Sequence, residues 1–379
     1  MSLWKRLKNQ ISSSGRKAES YPAGTTPGDK DTITAIRELS RAIMDNPDAV
    51  EIYLALGNLY RARGDVERAV QIRESLLIRP ELSSALKGKT YFELGQDYRR
   101  AGLLDRAHNA YMEAERLGIP SVQISAELAL LYSSSGNWEK ACEYFYAVGN
   151  NAAEAHYMVR QGTELLQNNR QEVKKALRIF NKALKIYPAS IEGWSALVIE
   201  YAKLGKWGAS AKALSKALEH VAPEKTFMLF EEVLAALPAQ QENQNTKEYR
   251  IACDQFYKKM TEAFIPVLAK RPPELFPNFY GAMLLKRSNQ LEEAEQWLDK
   301  SLVMQPNFWQ GRLMHLSLAR QQTTLPPLFD TDLDFFLNQS KHVKRFVCSA
   351  CGLNRDQLFY SCQRCHSWHS ATYKFTLNE

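Results

Sequence analysis

The sequence predicts an all-α chain of paired helices that ends in a small module stapled by metal. Three observations predict it. First, small residues recur at a nearly fixed period: Ala69, Ala107, Ala141, Ala176 and Ser210 are separated by 38, 34, 35 and 34 residues. A period of that length is the signature of a repeat architecture. Second, apolar residues recur at three- and four-residue steps on both sides of a glycine in each unit, the spacing of amphipathic helices joined by a tight turn. Third, four of the six cysteines fall within eighteen residues near the C-terminus as two Cys-x-x-Cys pairs.

Residues 1–30 read as a basic flexible tail, rich in Ser, Gly and Pro (Ser12–Gly15, Pro22, Gly24, Pro27, Gly28). Ala35, Leu39, Ala42 and Pro47 fit the second helix of a unit whose first helix has no counterpart in the tail. Leu56-Gly57-Asn58-Leu59-Tyr60 and Leu94-Gly95-Gln96-Asp97-Tyr98 then match each other. Each is followed by a glycine (Gly64, Gly102) and by the small residue (Ala69, Ala107). Leu128, Tyr132, Gly136 and Ala141 repeat the set, as do Leu197, Tyr201, Gly205 and Ser210. An aromatic stands four residues past the alanine (Tyr111, Phe145, Phe180), where it fills the space that the small side chain leaves. Prolines close units at Pro80, Pro120, Pro188, Pro223 and Pro306. Between Pro223 and Pro277 helices are expected but the motif fades. Ala294, Leu298 and Ser301 restore it, and Trp309 opens a last half unit. Pro326-Pro327 marks a break, Asp332–Asn338 suits a short helix, and residues 341–379 are too few to bury a core of their own. The expected divisions are a tail at 1–30, repeats at 31–320, a linker with a short helix at 321–340 and a metal module at 341–379.

These units resemble the tetratricopeptide repeat, several positions agreeing in each of several units. The resemblance implies a superhelical solenoid whose first helices line a concave, partner-binding surface. Asn58, Arg61, Gln96 and Arg99 are the groove residues it points to. An Asn or Gln amide can pair with both the N–H and the C=O of an extended peptide, and an Arg can hold a carboxylate with two hydrogen bonds. Solvated helix residues with no partner are the other reading of the same four.

Cys348, Cys351, Cys362 and Cys365 form a Cys-x-x-Cys, ten-residue spacer, Cys-x-x-Cys arrangement, with Gly352 directly after the first pair. Two-residue gaps let both sulfurs of a pair face one ion, and the spacer lets a hairpin bring the second pair round to complete a tetrahedron. One zinc or iron ion is expected, held by all four cysteines in a small knuckle module of the zinc-ribbon kind. Two disulfides would need an oxidising compartment, and no export signal supports one. Cys362-Gln363-Arg364-Cys365-His366 also reads as a haem-attachment motif, which would leave Cys348 and Cys351 without a role. His366 and His369 are expected to face solvent. Phe346, Phe359, Tyr360, Trp368 and Tyr373 are expected to form the module's small core and its docking face.

Composition narrows the function. The chain is 45% hydrophobic and 24% charged and has no apolar run of eighteen residues, which argues against a spanning helix. Much of the net +7 comes from Lys5, Arg6, Lys8, Arg16 and Lys17, so the body is nearly neutral and no nucleic-acid partner is expected. No phosphate-loop, nucleophile-elbow, HExxH or dinucleotide motif occurs. Cys142 and Cys253 suit small core positions, and His108, His156, His220 and His315 share no spacing. Nothing here proposes an enzyme.

The runs Leu56–Ile72 and Leu94–Ala107 and the Cys348–Trp368 segment together resemble the lipopolysaccharide assembly protein B family. The resemblance implies a tetratricopeptide body with a rubredoxin-like C-terminal knuckle. It further implies a non-enzymatic adaptor on the cytoplasmic face of the inner membrane, one that presents a lipid A biosynthetic enzyme to a membrane protease and so limits lipopolysaccharide synthesis. The family's N-terminal transmembrane helix has no counterpart in this sequence. Leu3, Trp4, Leu7 and Ile11 recur at helical spacing among Lys5, Arg6 and Lys8, so residues 1–11 are expected either to touch an anionic membrane surface weakly or to form a disordered basic tail. The expected location is cytoplasmic, with that peripheral contact. Two other classes stay open from the four cysteines: a rubredoxin-like iron electron carrier and a zinc-ribbon nucleic-acid-binding protein.

Overall fold

The computed structural model describes residues 29–46, 48–236, 247–322, 326–340, 343 and 345–376. The expectations placed on the tail, including residues 1–11, and on Pro47 lie outside the described residues. The chain divides into two compact units, one spanning Gly24–Tyr187 and the other holding Pro188–Glu379. The repeats expected over 31–320 are therefore shared between the two.

The first unit contains α1 (Asp29–Asp45), α2 (Val50–Arg63), α3 (Val66–Leu77), α4 (Ser84–Arg100), α5 (Leu104–Arg116), α6 (Ser121–Ser134), α7 (Trp138–Ala147), α8 (Asn151–Asn168) and α9 (Val173–Ile186). Each helix packs on its sequence neighbours. The turn between α2 and α3 shows why these pairs form. Gly64 sits at φ 91° and ends α2, and Asp65 donates its N–H back to the carbonyl of Tyr60. A left-handed residue there satisfies the orphan carbonyls of the helix end, and glycine adopts it without steric cost. Ala69, Ala107, Ala141 and Ala176 are completely buried at the helix crossings. At the α4–α5 crossing the approach is closer still, because a Cβ on Gly95 would lie 2.5 Å from the ring of Tyr111.

The second unit holds α10 (Ile191–Lys203), α11 (Trp207–His220), a 3-10 turn at Pro223–Lys225, α12 (Thr226–Ala235), α13 (Lys247–Ala269), α14 (Leu275–Arg287), α15 (Leu291–Met304), α16 (Trp309–Gln322) and α17 (Pro327–Ser340). Two of these helices fall where the motif fades. In α12, Phe227, Met228, Leu229 and Phe230 are all buried, and the helix packs on both α10 and α14. Helix α17 is longer than the Asp332–Asn338 expected. Pro327 opens it, since proline's missing N–H costs nothing in the first turn.

A three-stranded sheet follows, with β1 (Phe346–Cys348) between β2 (Asn354–Arg355) and β3 (Ala371–Tyr373) and both neighbours antiparallel to it. Phe346 stands opposite Tyr373. The described chain is thus mostly helical, with a small β-module at its C-terminal end.

Candidate metal centre

The first Cys-x-x-Cys turn starts at the end of β1, and the second lies within the loop closed by the isolated bridge between Ser361 and Trp368. Gly352 at φ 69° lets the first turn close, and its N–H donates to the carbonyl of Cys348. In the second turn the N–H of His366 donates to the carbonyl of Cys362. The four sulfurs lie within 4.8 Å of one another. Cys348 faces Cys365 and Cys351 faces Cys362, each pair 3.6 Å apart. Four sulfurs placed tetrahedrally about 2.3 Å from one ion would stand roughly 3.8 Å apart, so the donor set fits a divalent ion.

The electrostatics point the same way. Burial pushes the Cys348 thiol up, but the Ser370 hydroxyl, 3.2 Å from its sulfur, and the amides of Ala350 and Cys351 outweigh it and draw the pKa down to about 6. Cys365 is likewise drawn down against burial, by the hydroxyl and amide of Ser367. Cys351 is pushed up to about 12 by burial and by its sulfur neighbours, and burial pushes Cys362 up as well. Four packed sulfurs cannot all ionise side by side. A bound cation removes that conflict, because a coordinating thiol is deprotonated outright.

The module is fastened to the second unit by rings and by charge. Phe346 stacks on Phe227 at a centroid distance of 5.7 Å and Tyr373 meets the same ring edge-to-face at 5.3 Å, and Tyr373 also meets Phe276 and Phe308. Lys225 donates from Nζ to the carbonyl of Ala371 at 2.6 Å, and Trp309 donates from Nε1 to the carbonyl of Lys374 at 3.2 Å. Arg345 pairs with Glu231 at 3.1 Å. His366 is exposed as expected, whereas His369 is nearly covered and contacts Glu192 of α10 at 3.1 Å. The solvent-facing expectation for His369 is corrected: the module's rear face docks on the helices and takes this ring with it.

In the first unit, the four residues expected to line a groove are held in two networks within the chain. Arg61 donates to Glu93 at 2.8 Å and to Asp97 at 3.1 Å, and Asn58 accepts from Arg61 and from Arg73. Gln96 donates to Glu127 at 2.8 Å, and Arg99 pairs with the same carboxylate at 3.3 Å. Arg73 is completely buried four residues past Ala69, where later repeats carry Tyr111, Phe145 and Phe180. It donates to Asp97 at 2.6 Å. Burial pushes the Asp97 carboxyl up to about 6, although Arg73 and Arg61 both pull it down. Arg73, Glu93, Asp97 and Glu127 belong to no functional motif in the sequence. An arginine in a repeat's aromatic place was the available signal.

Tetratricopeptide-repeat family models match residues 46–84 and 92–155. Lipopolysaccharide assembly protein B of Escherichia coli K12 is 21% identical over 335 residues, covering 86% of this chain and 81% of that protein. This chain resembles lipopolysaccharide assembly protein B. The protein of that name from Haemophilus influenzae is 27% identical over 176 residues, or 45% of this chain and 43% of the relative. Among solved structures, MamA is 21% identical and covers 52% of this chain, at a TM-score of 0.26 that is too low to bear on the fold. No described helix is long and apolar enough to cross a membrane.

Proposed function

We propose that this protein is a non-enzymatic adaptor of the lipopolysaccharide assembly protein B kind. Its tetratricopeptide repeats bind protein partners, and Cys348, Cys351, Cys362 and Cys365 hold one zinc or iron ion. The observation that carries the reading is the pairing, on one chain, of tetratricopeptide repeats with a four-cysteine module, in a sequence that matches lipopolysaccharide assembly protein B along most of its length. Four protein ligands leave the ion no open position for a substrate, so its part is structural: it orders the module. In this reading the protein acts at the cytoplasmic face of the inner membrane. It presents an enzyme of lipid A synthesis to a membrane protease and so limits lipopolysaccharide production.

Deletion in the native host supplies the test. Loss of the chain should raise both the lifetime of the lipid A deacetylase and the lipopolysaccharide content, and re-expression should restore both. A deacetylase lifetime that is the same with and without the chain would sink the regulatory reading. Affinity capture from the same host then asks which proteins the repeats hold.

A further inference from the structure

The second unit contains a pocket of about 610 Å³, within the range of about 300–1,000 Å³ that ligand sites occupy. Helices α14 and α16 form its floor, the end of α17 one side, and Arg345 and Tyr373 of the metal module another. Its lining is largely apolar, with Phe279, Met283, Trp309, Leu313 and Met314. Two successive cations of α14, Lys286 and Arg287, also line it.

The charge balance there is uneven. Glu231, the pocket's acid, is already matched, because it accepts from Arg345 at 3.1 Å and from the Tyr280 hydroxyl at 2.6 Å. Lys286 and Arg287 have no such match, and their hydrogen bonds go to neutral groups. Lys286 donates to the Ser317 hydroxyl, and Arg287 donates to the Tyr257 hydroxyl at 2.6 Å while lying over that ring. Among the described residues neither cation has an acidic partner within salt-bridge distance. Burial, with the neighbouring Arg287 adding to it, draws the Lys286 ammonium below the usual lysine range. An anion placed between the two would reverse that. Gln310, also in the lining, keeps its Oε1 buried without a hydrogen-bond donor.

We propose that this pocket binds a carboxylate carried on an apolar peptide segment, with Lys286 and Arg287 holding the charge and the Phe279, Met283 and Trp309 walls holding the flanking side chains. Gln310 accepts a peptide N–H. A free phosphate suits the site less well, since it needs donors on all sides and would leave the apolar walls wet. The proposal rests on the partner-binding reading above and gives it an address in the second unit.

The full chain is titrated with N-acetyl-Leu-Phe and with its C-terminal amide, followed by ligand-observed NMR. The acid should bind at least ten-fold more tightly than the amide. The double change Lys286→Met and Arg287→Gln should bring that ratio below about three, with far-UV circular dichroism and melting unchanged. Lys286→Arg alone should keep the preference, and Trp309→Leu should weaken acid and amide alike. Equal binding of acid and amide, no detectable binding of the acid, a preserved ratio in the double variant, or displacement of the acid by equimolar inorganic phosphate would each overturn the proposal. Any of these results in a chain that still captures its partners would sink the pocket and leave the adaptor reading standing.

Discussion

Arg73 occupies a place where the following repeats bury an aromatic ring, and its guanidinium joins Asn58, Glu93 and Asp97 in a closed network between α2, α3 and α4. A buried ion pair contributes little over an apolar replacement, yet removing one partner alone is costly because the other charge stays behind. Arg73→Met should therefore destabilise the chain by about 3 kcal/mol in urea unfolding at neutral pH, whereas Arg73→Met with Asp97→Leu should recover most of that loss. The single variant's deficit should also depend on pH. Without Arg73, burial holds the Asp97 carboxyl further above its ordinary value of 3.8 than the value of about 6 it has in the parent. A raised folded pKa gives stability that is present below the unfolded value of 3.8 and lost as the pH rises to the folded value, and in the variant that loss continues past about pH 6, where the parent's has ended. The deficit should therefore be small in acid and grow as the pH rises past 6. A deficit that is the same at pH 4.5 and pH 7.5 would show that Asp97 does not carry it.

At the scale of elements, the repeats depend on close crossings. Tyr111 is completely buried and cannot swing away, so a methyl group at Gly95 meets its ring. Gly95→Ala should cost about 1–3 kcal/mol by overpacking, even though alanine is the better helix former. The check is a urea midpoint shift with an unchanged slope; a stabilised variant would mean that α4 and α5 can separate freely. The repeat elements were legible because each exposes one face and buries the other, which leaves the apolar spacing readable. The repeat motif fades at helix α12 for the opposite reason. Phe227, Met228, Leu229 and Phe230 are buried in one continuous run, so the apolar residues are not confined to one face and set no repeat spacing.

Across the second unit as a whole, the four-cysteine module forms part of one aromatic core with α12, α14 and Phe308, the residue before α16. Metal affinity supplies on the order of 10 kcal/mol to the folding of such modules. Replacing any one of Cys348, Cys351, Cys362 or Cys365 by Ser should lower the metal content well below one ion per chain. It should also raise amide hydrogen exchange in α12 and α14, while the helices of Gly24–Tyr187 keep their protection. Full metal content in all four variants would refute the shared site. Unchanged exchange in α12 would show that the module is only an appendage.

The sequence by itself determined the repeat period, the paired helices and the clustering of two Cys-x-x-Cys turns, because each is a local pattern: amphipathic spacing, a glycine at a turn, ligand spacing in a knuckle. Only the tertiary structure decided which groups those elements bring together. Asn58, Arg61, Gln96 and Arg99 stand at the positions the repeat implies, but whether their donors are free depends on Glu93, Asp97 and Glu127 of neighbouring helices. His369 turned inward because Glu192, far away in the chain, lies beneath it. Lys286 and Arg287 look like ordinary surface cations in the sequence. They stand out only once folding matches Glu231 to Arg345 and leaves these two with neutral partners. Charge balance is a sum over spatial neighbours, and that sum cannot be taken along the chain.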